Sequence, residues 1–103
     1  MKISNNEALI EFMHKHKDVS ELVKTWRNDV KAATWDSPHA LKECFPKASI
    51  IGSGCVVFDI KGNKYRIVTK IKYKLHIVNI RWCGKHTEYN KLDLRSTKCL
   101  SPS

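Results

Sequence analysis

The stretch IRWCGKHTEY, residues 80–89, brings a cation, an imidazole, an acid and a phenol to the end of one apolar run. Arg81 ends the run, and Lys85, His86, Glu88 and Tyr89 follow a single glycine. A guanidinium fork suits the paired oxygens of a phosphate. An imidazole gives or takes a proton at neutral pH. Tyr89 lies three residues beyond His86 and shares its side if residues 87–93 begin a turn or helix. Such a set fits acid–base work on a phosphodiester. The plainer alternative is a polar strand terminus, with His86 and Tyr89 as ordinary surface residues and Glu88 as an orienter or a solvated acid.

A second guanidinium, Arg66, sits in KGNKYRI, residues 61–67, and two such forks can clamp one phosphodiester. Its plainer alternative is a cross-strand ion pair with Asp59. The sequence holds no glycine-rich phosphate loop, no G-x-S-x-G elbow and no carboxylate cluster for divalent metals. The four cysteines, Cys44, Cys55, Cys83 and Cys99, form no C-x-x-C pair, so we expect reduced thiols and no zinc. HKHK, residues 14–17, resembles a metal cluster, but imidazoles at i and i+2 of a helix diverge. The expectation is therefore no metal and no cofactor. Phosphoryl chemistry on Arg, Lys, His and Tyr alone needs a substrate that carries its own nucleophile. RNA does so through its 2′-hydroxyl, and DNA does not.

The charge agrees with such a substrate. The chain of 103 residues has a net charge of +9. Residues 61–91 contain nine Lys or Arg and one acid, Glu88, whereas the first 60 hold eight of the ten acids. A basic half on an ordered scaffold points to a polyanionic partner. A DNA-binding regulator is the weaker reading, because no recognition helix carries the basic residues. No 18-residue apolar run suits a membrane span, and the first residues do not read as a secretory signal. A cytoplasmic protein with no membrane partner is expected, with residues 1–103 forming one domain.

Two helices and a sheet must position these groups. Residues 6–17 predict a helix with Leu9, Phe12 and Met13 on one face and Asn5 or Asn6 as cap. Asp18 and Glu21 suggest a D-x-x-E capping box for a second helix, with Val19, Leu22, Val23, Trp26, Val30 and Ala33 as its apolar stripe. Ser37-Pro38 opens a short helical turn to about Phe45. The period then changes to two. Strands are expected at Ala48–Ile51, Cys55–Ile60, Lys64–Ile71 and His76–Cys83, with Gly62-Asn63 as a hairpin turn. Aligning that hairpin sets Ile60 against Tyr65, Asp59 against Arg66 and Phe58 against Ile67. One face then carries Val56, Phe58, Ile60, Tyr65, Ile67, Thr69 and Ile71, joined by Val78, Ile80 and Trp82. The other carries Asp59, Lys61, Lys64, Arg66 and Lys70, where Arg81 is expected to converge with Arg66. A slip of one residue would invert this assignment. Trp26 reads as core by its stripe position, and Trp35 as packing at the helix end, with stacking on a base as its alternative.

The segments ASIIGSGCVVFDIKGNKYRIVTKI and IVNIRWCGKHTEYNKLD resemble the HigB family of bacterial type II toxins. The family pattern is F-x-I-K-G-N-K-Y-R-L followed by I-R-F-x-G-T-H-x-E-Y-D. This sequence departs from it at Trp82, Lys85, Thr87 and Asn90. The resemblance covers nearly the whole chain. It implies an α+β, RelE-like fold: an N-terminal helical hairpin packed on one face of a small twisted antiparallel sheet. It also implies ribosome-dependent mRNA cleavage, with Arg66, Arg81, His86 and Tyr89 as the catalytic candidates. Lys61, Lys64, Lys70 and Lys85 are the candidates for holding RNA. The implied partners are mRNA on the ribosome and a HigA-type helix-turn-helix antitoxin, with operator DNA reached only through that antitoxin. A non-enzymatic RNA- or ribosome-binding module with the same basic face is the competing expectation.

Overall fold

A computed structural model of the chain describes residues 1–62 and 64–91. Asn63 of the expected turn and Cys99 lie outside the described residues. The elements run β1 (Lys2–Ser4), α1 (Asn6–Lys15), a 3-10 turn (Lys17–Val19), α2 (Ser20–Ala32) and α3 (Pro38–Cys44). Then come β2 (Ser49–Gly52), β3 (Cys55–Ile60), β4 (Tyr65–Lys72), a 3-10 turn (Tyr73–Leu75), β5 (Ile77–Lys85) and α4 (His86–Tyr89). The fold is α+β. The sheet order is β1-β5-β4-β3-β2; β2 to β5 pair antiparallel, and β1 adds a parallel edge strand on β5. Among the described residues, no helix is long and apolar enough to cross a membrane.

The helices form where the apolar spacing places them. Leu9, Phe12 and Met13 of α1 are buried, as are Val23, Trp26 and Val30 of α2. Leu22 stays 46% exposed, so the buried stripe of α2 is narrower than expected. Two expected caps act differently. Asn5 does occupy the N-cap position of α1, but its side chain makes no cap hydrogen bond; its amide donates across to the Ile80 carbonyl at 2.8 Å. Asp18 lies in the 3-10 turn before α2, and the N-cap position is Val19. Ser37 does cap α3, accepting from the Ala40 amide at 3.2 Å with Pro38 in the first turn.

The hairpin register is the expected one: Ile60 opposes Tyr65, Asp59 opposes Arg66 and Phe58 opposes Ile67. The core lies between this face and the helices. Phe58 is its centre, with Trp26 at 5.2 Å and Trp35 at 6.5 Å between ring centres. Thr69 is buried there and donates its hydroxyl to the Val56 carbonyl at 2.8 Å, which meets the demand that a buried polar group be paired.

One expectation about β5 fails. Val68 opposes Trp82 while Thr69 opposes Ile80, so Arg81 is an extra residue in a bulge. An inserted residue reverses the alternation beyond it. Ile80 and Trp82 therefore occupy opposite faces. Trp82 packs with Tyr89 on a second apolar cluster of Cys55, Val57 and Val68.

Candidate functional site

Arg66 is the centre of the face away from the helices. Its Nε lies 3.1 Å from Asp59 Oδ1, and its side chain is only 13% exposed. Cross-strand register brings the two together. The guanidinium also stands 5.5 Å from the centre of the Tyr89 ring, in cation–π range. Trp82 flanks the same phenol, with ring centres 6.5 Å apart. The cross-strand reading of Arg66 holds, and the phenol covers it as well.

Strand β5 runs on to Lys85, two residues past its expected end, because Cys83, Gly84 and Lys85 pair with Ile67, Arg66 and Tyr65. The chain then makes one helical turn, α4. Glu88 Oε1 accepts from the Lys85 amide at 3.1 Å, so this acid closes the turn from within. The His86 amide donates to the Lys64 carbonyl at 2.9 Å, and its Nδ1 lies 3.4 Å from the same oxygen. Gly84 is needed here: a Cβ on it would meet the Trp82 indole at 2.7 Å.

The four lysine candidates separate. Lys61 Nζ sits 2.9 Å from Asp18 Oδ2, and Lys64 Nζ lies 3.7 Å from the same oxygen. The Tyr65 hydroxyl is 3.3 Å from both carboxylate oxygens. The Lys61 hydrogen bond holds the Asp18 carboxyl below the usual carboxylate range, with smaller help from Tyr65 and Lys64. Lys61 and Lys64 thus turn toward the helical layer. Lys70 stays on the Arg66 face, opposite Cys55, and Lys85 is exposed opposite Tyr65.

Arg81 does not converge with Arg66. The bulge turns it into a groove of about 360 Å3 between α1 and β5, shared with Phe12, Lys15, His16, Cys83 and Glu88. Its Nε is buried and has no hydrogen-bond partner among the described residues. Burial pushes the Cys83 thiol up to about 12, so it lines the groove as a neutral group. Trp82 and Gly84 also line the groove, so it adjoins the Tyr89 face at the indole. The two histidines of HKHK diverge: His14 is exposed, whereas His16 packs on Phe12 and Tyr65 at 5.1 and 5.0 Å.

Sequence reasoning missed two contributors, Trp82 and Gly84, whereas Asp59 is legible there as the cross-strand partner of Arg66. Trp82 and Gly84 form a site pair, and the signal for them was the W-x-G spacing beside Arg66's register position. The site thus combines a half-buried arginine, a phenol over it, an imidazole tethered to the β3–β4 turn, and an adjoining groove with a second arginine. A family model described as the RelE-like toxic component of a toxin-antitoxin system, HigB_toxin, matches residues 19–92. That span contains Arg66, Arg81, His86 and Tyr89. Comparison with curated proteins gives no match.

Proposed function

The chain belongs to the HigB_toxin family, the RelE-like toxic components of toxin–antitoxin systems, and from that premise we propose that it cleaves mRNA on the ribosome. As a toxin of such a system it has an antitoxin partner. We take that partner to be a HigA-type helix-turn-helix protein, with operator DNA reached only through it. The working compartment is then the bacterial cytoplasm, where mRNA is translated, and residues 1–103 act as one toxin domain.

The observation that carries this reading is the grouping of Arg66, Tyr89 and His86 where β4 and β5 meet α4. In the proposed reaction the 2′-hydroxyl loses its proton and attacks the adjacent phosphorus. The bond to the 5′-oxygen breaks, and that oxygen takes a proton. The products are a 2′,3′-cyclic phosphate and a 5′-hydroxyl. His86 and Tyr89 are the two proton-handling groups, a role worth about 10²–10⁴-fold. Arg66 supplies positive charge beside the phosphorane-like state, damped by its pairing with Asp59. Arg81 would hold a flanking phosphate from the groove. Lys70 and Lys85 remain outward for the RNA backbone, and Lys61 and Lys64 would join them on leaving Asp18.

Induced expression followed by mapping of mRNA 5′ ends tests this. New 5′-hydroxyl ends in translated messages are expected with the wild type and not with His86→Ala. An absence of new ends with the wild type overturns the nuclease reading. A binding module is the second reading, favoured by one observation: the two arginines do not form a preassembled clamp. Ribosome co-sedimentation separates the two. His86→Ala should keep ribosome affinity and lose cleavage, whereas loss of both together favours simple binding.

A further inference from the structure

Asp18 belongs to none of the motifs that carry the site, yet it holds the loop that holds His86. We propose that Asp18 is a positioning residue for the His86 imidazole, acting through the β3–β4 turn. The part concerning turnover rests on the nuclease reading above; the part concerning the imidazole does not.

The geometry runs in two steps. From the 3-10 turn between α1 and α2, the Asp18 carboxylate takes Lys61 Nζ at 2.9 Å, Lys64 Nζ at 3.7 Å and the Tyr65 hydroxyl at 3.3 Å. All three partners belong to the β3–β4 turn or the first residue of β4. That turn begins with Lys61 in the left-handed region, at φ 55, where a non-glycine residue stays only if its surroundings hold it. The Asp18–Lys61 contact is such a hold, and the His16 ring against Tyr65 braces it from the C-cap of α1. In the second step the same turn presents the Lys64 carbonyl to His86. The oxygen takes the His86 amide at 2.9 Å and lies 3.4 Å from Nδ1. A proton on Nδ1 is then favoured, which leaves Nε2 with its lone pair as the basic atom.

Simple electrostatics and positioning predict opposite results. Removing the Asp18 charge makes a chain of net charge +9 more basic, which alone would tighten RNA binding and speed encounter. Positioning predicts slower turnover despite equal or tighter binding. Asp18 is exposed, so Asp18→Asn should still fold.

The test uses the full chain with labelled histidine. In Asp18→Asn, the His86 ring nitrogen shifts should move toward the Nε2–H tautomer, and Asp18→Glu should restore them. Ribosome-programmed cleavage by Asp18→Asn should show kcat reduced about 10-fold, as expected for a misplaced catalytic group, with KM unchanged or lower. Lys61→Met should move the same resonances, and the double variant should add little, since both changes break one clamp. Unchanged His86 shifts in both Asp18→Asn and Lys61→Met overturn the proposal, as does a raised kcat in Asp18→Asn. If the wild type fails to cleave RNA while the shifts still move, the nuclease reading falls and the positioning of His86 stands.

Discussion

The guanidinium of Arg66 lies 5.5 Å from the centre of the Tyr89 ring, so the phenol contributes both a ring face and a hydroxyl to one site. The two contributions are separable. Tyr89→Phe keeps the ring over Arg66 and removes the proton-bearing oxygen. Its melting temperature should stay close to wild type, while mRNA cleavage falls by about 10² or more if the phenol handles a proton. Tyr89→Ala removes the ring as well and should also lower stability by about 1–3 kcal/mol, from lost apolar burial on Trp82 and lost cation–π contact. Equal cleavage by Tyr89→Phe and wild type would remove the hydroxyl from the mechanism.

Asp59 and Arg66 form a second separable pair. Arg66→Met leaves a carboxylate that is 24% exposed without its cation. A cost of about 1–3 kcal/mol is expected from urea unfolding, as for other polar groups stranded away from water. Asp59→Asn combined with Arg66→Met should recover much of that stability and still lack cleavage. A double variant as unstable as the single would show that Asp59 is not what makes Arg66 necessary to the fold.

The Asp18 contacts predict a pH dependence whose sign is fixed. The Lys61 hydrogen bond holds the native pKa of Asp18 below its ordinary 3.8. The native state therefore favours the carboxylate more than the unfolded chain does. The resulting stabilisation is present above about pH 4 and is lost as pH falls through the lowered native value. Urea unfolding of wild type and Asp18→Asn should differ at pH 7 and converge as pH falls below the ordinary carboxylate range. A difference that stays constant across that range would mean that the carboxylate charge is not its origin.

Much of this arrangement is legible in the residues, and the illegible part has a physical pattern. The Asp59–Arg66 register follows from alternation around one turn, so it can be aligned by hand. Trp26 follows from apolar periodicity, whereas Trp35, beyond the end of α2, does not. The Arg81 bulge does not, because alternation of side chains shows that a strand exists without showing where an extra residue is inserted. That one residue moves Trp82 across the sheet and separates Arg81 from Arg66. Asp18 fails for another reason. A capping box is a local motif and visible in sequence, whereas an ion pair with Lys61, 43 residues away, competes for the same side chain and leaves no local mark.

The cysteines differ in environment and should differ in reactivity. Burial pushes the Cys83 thiol up to about 12, and Cys55 is buried, while Cys44 is exposed. The thiolate is the nucleophile. Iodoacetamide at pH 8 should therefore label Cys44 well before Cys83 or Cys55 in the folded protein, as read by peptide mass mapping. Because the native thiol is held neutral, its contribution to stability is present below pH 9 and declines as pH rises toward 12. Prompt labelling of Cys83 at pH 8 would contradict the burial that holds its thiol neutral.

Gly84 gives the most direct check of how the site is packed. An added Cβ would lie 2.7 Å from the Trp82 ring and 3.2 Å from Glu88 Oε1. The indole is rigid, and it packs against the Tyr89 ring and the cluster of Cys55, Val57 and Val68, so it has little room to yield. Gly84→Ala should cost about 1–3 kcal/mol, the usual range for overpacking. The cause can be isolated. In a Trp82→Leu background the clash is gone, so the added cost of Gly84→Ala should fall well below its cost in wild type, a coupling expected of residues in contact. Urea unfolding of the four chains measures it. Strict additivity would mean that the indole does not lie over Gly84, and the packing of Tyr89 over Arg66 would lose its support from that side.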